Sequence, residues 1–87
     1  MSLGAVAPAQ RELFVRHARK DGRSVAILRA IDQGGSCLVE AEVFPLGGDG
    51  TRPSASAYDF ADVRAATAFV TEAVEALMYL GCDVQAE

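Results

Sequence analysis

From Val63 to Leu80 apolar residues recur every three or four positions, whereas before residue 59 the period falls to two. At 100° per residue, Val63, Ala66, Phe69, Val70, Ala73, Val74, Leu77 and Leu80 fall within an arc of about 140°, the signature of an amphipathic helix. Arg64, Thr71, Glu72 and Glu75 lie outside that arc. Asp62 suits the N-cap, with Asp59 as the alternative, because a carboxylate there accepts otherwise unpaired backbone N–H groups. Gly81 suits the left-handed position after the helix, where Cys82 can fold back toward Leu77 and Val84 can start a short tail strand.

Upstream the period is two. Asp21-Gly22 separates the runs Glu12–Arg19 and Ser24–Asp32, a strong signal for a two-residue hairpin loop. Gly34-Gly35 separates the second run from Ser36–Phe44. A Gly/Pro-rich loop, Pro45–Pro53, then leads to a weaker run at Ser54–Tyr58. The expected fold is α+β: an antiparallel ββββ meander followed by one C-terminal helix packed on one sheet face. Residues 11–87 form the domain, behind a flexible tail at 1–10.

Regular hairpins on these loops set Leu13 opposite Ala30, Val15 opposite Leu28 and His17 opposite Ala26. They also pair Ala30 with Val39, Leu28 with Ala41 and Ala26 with Val43. Side chains alternate along a strand, so these residues share one face, apolar and small enough to receive the helix. The other face then carries Phe14, Arg16, Val25, Ile27, Arg29, Ile31, Leu38, Glu40, Glu42 and Phe44, with Arg29 directly opposite Glu40. A one-residue slip would exchange the faces and turn Arg29 and Glu40 toward the helix. With a single helix available, the second face has no cover within the chain, which marks it as an assembly or binding surface.

Composition strengthens that expectation. Apolar residues make up 51 % of the 87-residue chain, and a chain this short buries only about 60–65 % of its unfolded surface. Disulfides, a metal or a partner subunit usually supplement such a core. Only two cysteines and one histidine are present, without zinc-ligand or disulfide-scaffold spacing. A homodimer is the expected supplement, with no cofactor. No apolar run reaches the ~20 residues of a membrane span. The N-terminus is a poor signal peptide, so the expected compartment is cytoplasmic, with reduced thiols.

The net charge of −4 is divided unevenly. Residues 1–31 hold six basic side chains against two acidic, and residues 32–87 hold two against ten. The tip of the first hairpin gathers Arg16, Arg19, Lys20 and Arg23, a candidate contact for an anion or an acidic partner. Edge strands also carry such charges simply to block aberrant pairing.

Other chemistry is sparse. His17 has no Cys, Asp or Glu at ligand spacing and no obvious orienting partner, and is expected to be a structural or surface histidine. Cys37 and Cys82 read as inert thiols, since neither lies in a basic, open surrounding. Gly47-Gly48-Asp49-Gly50 lacks the Lys-Ser/Thr and the following helix of a phosphate loop. Met78 and Tyr79 form a small patch on the polar side of the helix. Glu40 and Glu42, two apart on one strand, make a conceivable catalytic pair, but arginines beside them suggest salt bridging. The sequence thus leans against an enzyme and toward a binding or accessory module. Its ββββα order is similar to that of whirly and PUR-type domains. That likeness implies single-stranded nucleic-acid binding, with Phe14 and Phe44 stacking and Arg16 and Arg29 on phosphates. Glu40, Glu42 and a pI near 4.8 oppose it.

Overall fold

The computed structural model describes residues 10–45 and 52–87. Five strands form one antiparallel sheet: β1 (Arg11–Lys20), β2 (Arg23–Asp32), β3 (Cys37–Val43), β4 (Ser54–Phe60) and β5 (Asp83–Ala86). Their spatial order is β4-β3-β2-β1-β5, and a single helix, α1 (Val63–Tyr79), lies across one face. The meander and C-terminal helix are as the patterning requires, with Val84 in the short fifth strand. The expected tail falls almost wholly outside the described residues, as does most of the Gly/Pro-rich loop.

Local chemistry fixes the joints. Asp21 and Gly22 have φ of +53° and +78°, both positive as a two-residue hairpin of matching twist demands. Asp62 is the N-cap, its Oδ1 accepting the Ala65 N–H at 2.8 Å. At the other end, the Gly81 N–H donates to the Met78 carbonyl at 2.9 Å and the Cys82 N–H to that of Leu77 at 3.0 Å. Gly81 has φ +94°, the left-handed stop that turns the chain into β5.

The core is thin. Leu28, Ala30, Cys37 and Val39 from the sheet meet Ala66 and Val70 from the helix, with Phe69, Ala73, Val74 and Leu77 closing its rim. Phe69 packs between Tyr58 and Phe60, each ring centroid 5.2 Å away. Val63 and Leu80, the first and last residues of the apolar stripe along the chain, are exposed, and Leu80 caps the helix rather than belonging to it.

The register between β2 and β3 matches the expected pairing, including Ala30 with Val39 and Arg29 with Glu40. The first hairpin does not. Two β-bulges interrupt it, leaving Leu13 on β1 and Val25 on β2 as extra residues. Between them the ladder is displaced by one, so Phe14 pairs with Ala30, Arg16 with Leu28 and Ala18 with Ala26. Paired residues share a face. Phe14 and Arg16 therefore stand on the helix side, not on the open face, and Leu13 and Phe14 both pack against the core. Val15 and His17 move the other way, opposite Arg29 and Ile27. Bulges allow this because each extra residue shifts the alternation locally while the turn keeps its own register.

Candidate functional site

The open face is built by β2, β3 and β4, with β1 and β5 along one side. Val25, Ile27, Arg29, Ile31, Leu38, Glu40, Glu42 and Phe44 keep their expected places there. Ile27, Ile31 and Leu38 are half-buried, and Glu40 is exposed. On β4, Ala55, Ala57 and Asp59 pair with Glu42, Glu40 and Leu38 and join this face. Together Ile27, Arg29, Glu40, Glu42, Ala55 and Ala57 border an open hollow of about 290 Å³. It is an apolar floor with one cation and two carboxylates at its rim.

Arg29 stands opposite Glu40 as expected, but its ion pair is with Glu12, Nε lying 3.0 Å from Oε2. The Nε atom is buried, and its N–H is not directed at that oxygen. Among the described residues neither Glu40 nor Glu42 takes part in an ion pair. The salt bridging expected to explain these two carboxylates is thus absent within the described chain.

The basic tip is dispersed rather than clustered. Arg16 donates to the Val15 carbonyl at 2.9 Å and lies over the Phe14 ring, 4.9 Å from its centroid. Arg19 approaches Glu87 at 3.9 Å. Lys20 donates to the Leu80 carbonyl at 3.0 Å. Arg23 is exposed at the start of β2. At the end of the helix, Met78, Tyr79 and Leu80 are exposed, Tyr79 by 91 %.

His17 differs most from expectation. It is only 9 % exposed and has a partner on each ring nitrogen. Ser24 Oγ is 2.7 Å from Nε2, and Glu87 Oε2 is 3.2 Å from Nδ1. Neither partner is near His17 in sequence. Ser24 arrives across the hairpin, and Glu87 is brought by β5, where its backbone N–H donates to the Val15 carbonyl at 3.1 Å. The one advance signal was Val84, since a tail strand beside β1 carries the residue after it to His17.

Among the described residues there is no cluster of His, Cys, Asp or Glu suited to a metal ion, and no helix is long and apolar enough to cross a membrane. Comparison of the chain with protein-family models, with curated proteins and with solved structures finds no match, so its own geometry carries the functional reading.

Proposed function

We propose that this chain is a small homodimeric binding or accessory module, assembling through the helix-free face of its sheet in a cytoplasmic setting. One observation carries the reading: the helix covers one face, while on the other Ile27, Ile31 and Leu38 are half-buried and Ile27 borders a hollow rimmed by Arg29, Glu40 and Glu42. A two-fold dimer uses the same patch twice, so a face bearing both signs of charge can complement itself. The bulges also remove Phe14 and Arg16 from this face, which deprives a single-strand nucleic-acid reading of half its stacking and phosphate contacts.

Sedimentation or light scattering tests the assembly. The expected result is a dimer at micromolar concentration. Glu40→Lys, a surface change outside the core, should weaken dimerisation with unaltered circular dichroism, and Ile27→Asp should abolish it. A wild-type chain that stays monomeric at hundreds of micromolar would overturn the proposal.

A further inference from the structure

We propose that Ser24, His17 and Glu87 form a nucleophilic site that hydrolyses small carboxylic esters through an acyl-Ser24 intermediate. A serine–base contact within 2.6–3.2 Å, with the base oriented by a third group, is the geometric signature of an activated nucleophile. Here the serine–histidine distance is 2.7 Å and the histidine–glutamate distance 3.2 Å. The order of the partners matters. A carboxylate can only accept, so in the neutral ring Nδ1 carries the proton toward Glu87 and Nε2 is left with its lone pair facing the Ser24 hydroxyl. Any two polar groups could satisfy a buried imidazole, but a hydroxyl on one nitrogen and a carboxylate on the other also prepare it to take a proton.

The fold holds this arrangement from three strands. Ser24 pairs with Arg19 just before the bulge at Val25, and His17 pairs with Ile27 just beyond it. The bulge therefore sets Ser24 and Val25 on the same side as His17, while Ala26 still points to the helix. Bulges commonly re-aim side chains in this way beside active sites. Glu87 is fixed by its backbone bond to Val15. Ser24 remains partly open, at the β1–β5 side of the sheet and away from β3 and β4. Arg19, directly opposite Ser24, lies 3.9 Å from Glu87 Oε2, so its guanidinium helps hold that carboxylate beside His17.

The chemistry balances without any further reagent than water. Ser24 Oγ attacks the ester carbonyl carbon, and its proton moves to His17 Nε2. Collapse of the tetrahedral intermediate breaks the bond to the leaving alcohol, which takes that proton. Water then attacks acyl-Ser24 by the same proton route, releasing the acid and restoring the hydroxyl. Glu87 acts as a positioning residue.

The test uses the full chain with p-nitrophenyl acetate and, separately, a fluorophosphonate probe, read by intact mass and peptide mapping. The expected result is one adduct per chain on Ser24, with a burst of p-nitrophenol. Ser24→Ala should remove both while leaving circular dichroism unchanged. His17→Gln should slow acylation at least about 100-fold, the scale of lost general-base catalysis. Glu87→Gln should slow it about tenfold, with partial recovery in Glu87→Asp. Absence of an adduct, an adduct elsewhere, or wild-type turnover by Ser24→Ala would each overturn the proposal.

Discussion

Lys20 Nζ donates a hydrogen bond to the Leu80 carbonyl oxygen at 3.0 Å, tying the tip of the first hairpin to the end of the helix. The last turn of α1 contains no basic residue of its own. A helix C-terminus carries partial negative charge and unpaired carbonyls, so a cation supplied from β1 serves both needs. It also engages one residue of the basic tip within the chain.

Lys20→Met should therefore lower stability by about 0.5–1 kcal/mol, the usual worth of a cation at a helix C-terminus. The loss should shrink in high salt, because the contact is exposed. Arg23→Met, at the other side of the same loop and without such a contact, should change stability by less than about 0.5 kcal/mol. Urea denaturation of the two variants at low and high salt makes the comparison.

Gly81 lies beside this contact. A Cβ there would meet Lys20 Cε at 3.5 Å, an ordinary contact, so space is not the constraint. The constraint is φ of +94°, which raises the energy of L-residues. Gly81→Ala should destabilise by about 1–2 kcal/mol, and Gly81→Asn by less, since asparagine tolerates left-handed backbone better. Equal effects for the two would refute a conformational cause.

Phe69 is the main tie between the helix and the edge strand β4, through Tyr58 and Phe60. Residues 54–59 are otherwise exposed. Phe69→Ala should cost about 3 kcal/mol, the lower end for a phenylalanine truncation because the ring is only partly buried. Amide exchange should accelerate first in β4, while β2 stays protected at the centre of the sheet. Uniform loss of protection would instead place Phe69 in a global core.

The bulges show where the sequence stopped being legible. The helix could be read because its polar and apolar positions contrast, and the β2–β3 register because a slip would turn Arg29 and Glu40 toward the helix. Leu13, Phe14 and Val15 are three apolar residues in succession, and Ser24, Val25 and Ala26 are all small or apolar. Neither stretch contrasts one face with the other, and neither contains a glycine to mark a bulge, so alternation alone chose the regular register. The His17 site was hidden for the same reason, and because Glu87 lies 70 residues away. The faces on either side of Val25 nonetheless allow a direct check. Deleting Val25 converts the bulge to a regular ladder without exchanging Ser24 or Ala26 between faces, so the fold should survive with a loss of about 1–2 kcal/mol. Deleting Ile27 displaces the ladder itself and should leave the chain unfolded by circular dichroism. Unfolding of both variants would count against the assigned bulge.

The two thiols should differ in reactivity. Cys37 is completely buried under the helix, and Cys82 is partly open. Burial pushes the Cys37 thiol above its ordinary value of 9.0; the Asp32 and Asp62 carboxylates act in the same direction, against a backbone hydrogen bond from Ile31. Only the thiolate attacks a disulfide reagent. Ellman's reagent should accordingly label Cys82 in the native protein and reach Cys37 only on unfolding. The same shift has a signed effect on stability. In the folded chain Cys37 holds its proton to higher pH than in the unfolded chain, so its contribution is intact below pH 9 and declines as pH rises above it. The urea midpoint should fall between pH 8.5 and 10.5 less steeply in Cys37→Ala than in the wild type, although the variant starts lower because of the cavity it leaves. Equal labelling rates for the two thiols in the native state would show that Cys37 is not sealed by α1.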